Sequence, residues 1–279
     1  AMRIRGAGGS RINITLDGVS LNSPEDQTVF WANMNSYGAL MSSVQIQRGI
    51  GTSTNGDGAF GGSISLATAT PNQQPSAEVS GSFGTYNTYN TGVKFSTGLL
   101  GSHFVFDGAY HETATDGFLH GTAGRSGSYY GGLAYLGDNF QIRYKNIGNF
   151  EKTGQAWNGV VAGNNDASLM GSDIKTYKDL YERGLGRFNP LYEGLVFNYD
   201  KWSFPTDANG KYQTYRYKMD NGSYWEKTTD NFYQNHNILS AVWKPSTAWS
   251  HNIALHYTYG HGYYNEFRPN NKFNKFGLT

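Results

Sequence analysis

Hydrophobic and polar residues alternate with a period of two over several stretches of the chain. Ala77, Val79, Gly81 and Phe83 alternate with Glu78, Ser80 and Ser82, and Val93 and Phe95 with Gly92, Lys94 and Ser96. Phe104, Phe106 and Tyr110 oppose Asp107 and His111, Leu133 and Tyr135 continue the pattern, and Phe140, Ile142 and Tyr144 oppose Gln141, Arg143 and Lys145. The cleanest run sets Ile253, Leu255, Tyr257 and Tyr259 against Asn252, His256 and Thr258. Successive side chains of a strand point to opposite faces, so each run predicts a β-strand with one apolar and one polar face. From His236 to Trp243 apolar residues fall in both parities, and periodicity assigns that stretch no face. About seven strands are expected, joined at one end by short turns such as Leu100-Gly101-Ser102 and Gly137-Asp138-Asn139.

Pro71-Asn72-Gln73-Gln74-Pro75 is polar and bracketed by prolines, which stop a preceding strand. It divides the chain into a Gly-rich unit at 1–70, a linker at 71–76 and the strands of 77–279, with a long aromatic loop at about 151–228. Alternation alone suits a soluble sandwich as well as a membrane barrel. Two features favour the barrel. The strands run roughly 9 to 14 residues, long enough to cross a bilayer when tilted, and Tyr, Phe and Trp gather near their ends, as an interfacial girdle requires.

Composition agrees with an all-strand unit. The 279 residues include 37 Gly, 21 Tyr, 16 Phe and 6 Trp, and only 15% are charged, against about 25% in an ordinary soluble domain. A net charge of +1 supplies no basic field, so nucleic acid is not an expected partner. Cysteine is absent, which removes disulfides and thiolate metal sites from consideration. No run approaches the roughly 18 apolar residues of a spanning helix, and the mean hydropathy of −0.57 is polar. Barrel strands escape both tests because lipid-facing and lumen-facing residues average out. The sequence opens on Ala-Met-Arg and runs almost at once into a motif, which reads as a truncated start with no signal peptide.

Two blocks stand out in the first unit. Arg3-Ile4-Arg5-Gly6-Ala7-Gly8 precedes Arg11-Ile12-Asn13-Ile14-Thr15-Leu16-Asp17-Gly18-Val19, a strand ending in an Asp-Gly turn. Val44-Gln45-Ile46-Gln47-Arg48-Gly49 then leads through a glycine-dense loop, Thr52 to Gly58, to Ala59-Phe60-Gly61-Gly62-Ser63-Ile64-Ser65-Leu66. That loop is not a phosphate-binding loop, since no Gly-Lys-Ser/Thr follows, nor an EF-hand, since Asp57 lacks the spaced carboxylates. Over residues 3 to 68 the blocks resemble, in order and spacing, the plug domain of TonB-dependent outer-membrane receptors. The loop departs from the commonest family wording, with Asn55-Gly56-Asp57-Gly58 where Tyr-Gly often stands.

The resemblance implies a mainly β chain: the C-terminal part of a mixed α+β plug domain, then about seven antiparallel strands of an incomplete, about 22-stranded transmembrane β-barrel. It implies TonB-dependent uptake of a nutrient across the outer membrane of a Gram-negative bacterium, most readily an iron-siderophore chelate. Cobalamin or an oligosaccharide are alternatives of the same class, and a surface adhesin or carbohydrate-binding β protein is one of another. No enzyme, cofactor or metal site is implied. The seven His are scattered, and His103, His111, His236, His251, His256 and His261 sit on predicted strands or strand ends. The partners implied are the TonB energy-transducing protein, through an N-terminal box absent here, the small nutrient ligand, and outer-membrane lipid. Arg5 and Arg48 match two family plug arginines held by barrel carboxylates, which are expected beyond Thr279. A partly desolvated guanidinium needs such partners. With the long loop placed outside the cell, Trp157 and Arg187 are expected to border one outward-facing cavity with the plug residues Asn22, Glu25, Asp26 and Trp31. Arginines Arg183, Arg187 and Arg216 among the loop's aromatics suit a flat, anionic or catecholate-bearing ligand.

Overall fold

The structure, a computed structural model, describes residues 3–34, 36–49, 60–160, 173–268 and 273–277, so the loop motif at Thr52 to Gly58 lies outside the described residues. Its first sheet comes from the segment before the linker. Strands β1 (Ile12–Leu16) and β2 (Val19–Ser20) form a hairpin about Asp17-Gly18. Both turn residues have positive φ, 50° and 84°, as a two-residue turn matched to the strand twist requires. After β3 (Met41–Arg48), β4 (Gly62–Thr68) enters between β1 and β3, parallel to the first and antiparallel to the second, giving the order β2-β1-β4-β3. Gly62 sits at φ +150°, where a Cβ would stand 2.5 Å from the Gln47 carbonyl oxygen, so only glycine lets β4 start there. Strand β1 is buried at every position, and Ile12, Ile14 and Leu16 pack with Ile64, Leu66, Tyr37 and Leu40. Tyr37 and Leu40 belong to a short 3-10 turn, Tyr37–Leu40, that follows another at Trp31–Met34.

The second sheet is a meander. Strands β5 (Pro75–Phe83), β6 (Tyr89–Thr97), β7 (Phe104–Thr115), β8 (Gly124–Leu136) and β9 (Phe140–Gly154) follow one another. A long connection then carries a helix, α1 (Tyr177–Glu182), and a small ladder of β10 (Glu193–Leu195) with β11 (Thr214–Arg216). Strands β12 (Thr229–Ser246) and β13 (Trp249–Asn265) complete the order β13-β12-β9-β8-β7-β6-β5, antiparallel throughout. The expected seven strands are present, and the sheet is open, with β5 and β13 as its edges. Strand β5 begins within the expected linker, and the last three long strands exceed the expected length, because their pairing continues beyond the plug into the long-loop end. Within the connection, α1 was not expected. Its start is fixed by reciprocal capping between Thr176 and Asp179.

One face of the sheet holds the plug and the other is uncovered. Ile147 and Ile238 join the plug core, as does Tyr130. The opposite parity carries Val79, Phe95, Phe106, Leu133, Leu239, Ile253 and Leu255, all exposed. This resolves the stretch that periodicity left without a face. In β12, His236 and Ile238 are buried toward the plug while Leu239 and Trp243 point away, so both parities are apolar for different reasons. Aromatics bound the uncovered band. Tyr135 contacts Phe104 and Phe140, and Trp243 and Trp249 stack on His251, all at the short-turn end. Phe83, Tyr89 and Tyr263 lie at the other end, exposed. An apolar band between two aromatic rows is the surface a bilayer selects, and in water it would be an aggregation surface.

Candidate functional site

Where the plug sheet meets the wall, polar side chains converge. The Asp17 carboxylate accepts from the backbone N–H and hydroxyl of Thr68 at 3.0 and 2.7 Å and from the Lys145 ammonium of β9 at 2.6 Å. Lys145 also donates to the Thr68 hydroxyl at 2.7 Å. Beside it, Tyr130 donates to Asp107 at 2.7 Å, and Arg143 donates to the Tyr130 hydroxyl at 2.9 Å and to the carbonyl of Ala69. Ser128 of β8 donates to the Ser36 carbonyl at 2.8 Å, and Tyr37 meets the His236 ring edge-on at 6.3 Å. Burial leaves the Tyr37 phenol strongly raised in pKa and therefore neutral. The wall thus grips the plug by an ion pair and several hydrogen bonds rather than by apolar contact alone.

Toward the long-loop end, the segment after β2 stands off the wall. Between them lies a cleft of about 880 Å³, lined by Leu21, Asn22, Ser23, Glu25, Phe30 and Met34 on one side and by Phe232, Gln234, His236, His256, Thr258 and His261 on the other. The Nδ1 of His236 is 2.9 Å from the Thr258 hydroxyl, and its buried Nε2 has no hydrogen-bond partner among the described residues.

The cleft brings together Asn22 and Glu25 from the expected set, but not the other four. Asn22 has a structural task as well: its side chain accepts from the Ile14 N–H at 2.8 Å and donates to the carbonyls of Ile12 and Gln27 at 2.9 and 2.8 Å, closing the loop against β1. Asp26 is exposed and accepts from the Thr28 N–H at 3.0 Å, which lowers its pKa. Trp31 packs on the plug core. Trp157 stands edge-on to Tyr264 at 6.0 Å, and Arg187 donates to the Phe118 carbonyl at 2.6 Å with its guanidinium over Tyr86. Arg5 and Arg48 are exposed, and among the described residues neither forms an ion pair. The Arg5 guanidinium lies 3.7 Å from where a Cβ on Gly49 would stand, so the two arginine blocks adjoin.

Much of the long connection's aromatic content packs on itself. Phe197 contacts Tyr199, Trp202 and Phe204, the Arg216 guanidinium lies 3.7 Å above Tyr192, and Trp225 stacks on Phe267. Arg183 pairs with Asp173 at 2.6 Å, and Tyr212, pushed up to about 12 by burial and its bond to Asp173, donates to the same carboxylate. The connection is docked on the β7–β8 turn through Asn189, whose amide donates to the carbonyls of His120 and Gln155 at 2.8 and 2.9 Å, and through Glu193, 2.7 Å from His120 Nδ1. Among the described residues no group of three His, Cys, Asp or Glu is placed to hold a metal ion.

Residues 1–63 match the family model described as the TonB-dependent Receptor Plug Domain. No curated protein matches the chain. Among solved structures, the fold is similar to that of the siderophore receptor PiuA from Acinetobacter baumannii, with a TM-score of 0.60 and 12% identity over 94% of this chain. It is similar also to the ferric yersiniabactin uptake receptor FyuA from Yersinia pestis (TM-score 0.56, 15% identity, 92% of this chain). The ferripyoverdine receptor of the outer membrane of Pseudomonas aeruginosa, solved with ferripyoverdine bound, gives a TM-score of 0.57 at 14% identity over 92% of this chain. The chain spans 30%, 32% and 28% of the length of these three structures, respectively.

Proposed function

We propose that the chain is a TonB-dependent receptor plug segment followed by the adjoining strands of the receptor's barrel wall, and that it serves the energised uptake of an iron chelate across an outer membrane. The observation that carries the reading is the seating of the plug sheet against one face of a wall whose other face is an exposed apolar band between aromatic rows. A wall built this way has lipid on one side and a plugged passage on the other. The short-turn end is then periplasmic, and the connection of residues 155–228 is extracellular, so the cleft between plug and wall opens on the ligand's side.

In this reading ligand enters the cleft, TonB draws on the plug, and the wall contacts at Asp17 and Ser36 are those that must hold or yield. No covalent chemistry is assigned to the chain. Arg5 and Arg48 are proposed to meet carboxylates of other wall strands, and Asp26, Trp31, Trp157 and Arg187 to frame the approach to the cleft. The test is growth of a receptor-deletion strain on single iron sources, cobalamin and glycans, with and without the restored gene. Growth restored on iron chelates alone supports the reading, and growth restored only on cobalamin or a glycan replaces it.

A further inference from the structure

Neither of the two ordinary determinants of strand register holds β12 on β9. A short turn would fix their pairing, but residues 155–228 stand between them. A one-sided apolar pattern would fix it as well, because a slip of one residue turns every side chain to the other face. In β12 that pattern is weak: Phe232, Ile238 and Val242 have one parity, and Tyr233, Leu239, Ala241 and Trp243 the other. Yet the two strands pair without a break from Thr229 opposite Gly154 to Trp243 opposite Phe140.

A polar cluster on the uncovered face does what the turn and the pattern do not. Asn146 lies directly opposite Asn237, and its amide donates to the side-chain oxygens of Asn237 and Asn235 at 2.8 and 3.1 Å. Asn235 donates back to Asn146 at 3.1 Å, Asn237 to Asn235 at 2.7 Å, and the Tyr144 hydroxyl to Asn237 at 2.6 Å. The Tyr129 hydroxyl accepts from Asn235 at 2.8 Å and lies 2.8 Å from the Tyr233 hydroxyl. Tyr129 belongs to β8 and reaches β12 by crossing β9 at Gly148, where a Cβ would stand 2.3 Å from its Cζ. All six side chains share the parity of Leu133 and Leu239, away from the plug. Asn146 is six residues above Phe140 of the lower aromatic row, or about 15 Å along the normal for a tilted strand, near the middle of an apolar band about 25 Å tall. In hydrocarbon an unpaired amide finds no water to replace its partner. A slip of one residue would turn Asn235 and Asn237 toward the plug and leave Asn146 without them, and a slip of two in either direction would end its opposition to Asn237. We propose that this cluster is a register lock: Asn146, Asn235 and Asn237, with the hydroxyls of Tyr129, Tyr144 and Tyr233, seat β12 on β9 as the wall forms in the bilayer. The inference goes beyond the uptake reading and needs only lipid on the outer face.

The experiment is disulfide formation in the full-length receptor containing this chain, free of other cysteines and refolded into phospholipid vesicles. Ile142→Cys with Ala241→Cys reports the native pairing, and Ile142→Cys with Ser240→Cys or with Val242→Cys reports a slip of one residue in either direction. With the cluster intact, only the native pair is expected to close. Replacing Asn146, Asn235 and Asn237 together by Leu should raise the yield of the slipped pairs about fivefold or more. The denaturant midpoint should not fall, since leucine suits a lipid-facing surface, and this separates a lock from a general stabiliser. Should the triple variant fail to insert, Tyr129→Phe with Tyr233→Phe decides, with an expected rise of about twofold or more in the slipped pairs. Native pairing alone in a folded variant overturns the proposal, as does a lowered midpoint without slipped pairing.

Discussion

Lys145 on the wall and Asp17 in the plug's first turn meet at 2.6 Å, with side chains only 6% and 12% exposed. The pair ties the turn between β1 and β2 to the end of β4, because Thr68 is bonded to both. A buried pair is a modest source of net stability when intact, but removing one partner strands the other charge and costs about 3–5 kcal/mol. Lys145→Met is therefore expected to raise hydrogen exchange in β1 and β4 of the full-length receptor. Adding Asp17→Asn, which keeps the turn, should recover part of the loss. Unchanged exchange in Lys145→Met would show that the contact contributes nothing to plug seating.

Arg48 is exposed in this chain and faces no carboxylate among the described residues. Two settings thus separate its possible roles. In the full-length receptor, Arg48→Ala is expected to lower protease protection of the plug, since carboxylates of other wall strands would be left unpaired. In the isolated chain the same substitution should change protection little. Equal protection in both settings would assign Arg48 to the solvated surface.

Asn189 holds the long connection to the β7–β8 turn. It is 1% exposed, and its amide bridges the carbonyls of His120 and Gln155 while its oxygen accepts from the Leu191 N–H. Asn189→Ala leaves these buried groups unpaired, at roughly 1–3 kcal/mol for each that water cannot reach. The expected result is faster limited proteolysis between residues 173 and 228 with the wall strands unaffected. Cleavage at the original rate would mean that the connection is held mainly by its aromatic packing.

The wall was legible in the sequence because the outer face of β5 to β9 carries most of their apolar residues, so period two reports those strands directly. The plug motifs were legible because their glycines answer backbone demands, as at Gly62, which can be met by no other residue. The cleft was not legible. Its second wall is formed by Phe232, Gln234, His236, His256 and Thr258, which lie on the two strands farthest in sequence from the plug segment they face. The uncovered face and the plug face of β12 are both apolar, so alternation fails where the site begins. The long connection's aromatics suggested a ligand surface, yet Phe197 and Phe204 pack against each other within it and Trp225 stacks on Phe267 beyond β13. Lys145 gave one signal: a cation on the inward parity of a strand, where a lumen filled by the plug demands a partner.

The two faces of β12 provide the sharpest test of the membrane assignment. Leu239 points away from the plug, between the aromatic rows, whereas its neighbour Ser240 has the opposite parity and shares the plug-facing side with His236 and Ile238. If lipid covers the outer band, a guanidinium at Leu239 must be taken out of water or must drag water in. Barrel data place that cost at about 2–4 kcal/mol near the bilayer midplane, falling toward the interfaces. A guanidinium at Ser240 stays in the polar interior, so the penalty is expected to be below about 1 kcal/mol. Leu239→Arg and Ser240→Arg should then differ sharply in the denaturant midpoint for folding of the full-length receptor into lipid vesicles. The difference should shrink for Trp243→Arg, which sits in the aromatic row at the short-turn end. Equal midpoints for the Leu239 and Ser240 variants would mean that the exposed apolar band is covered by protein or water rather than lipid.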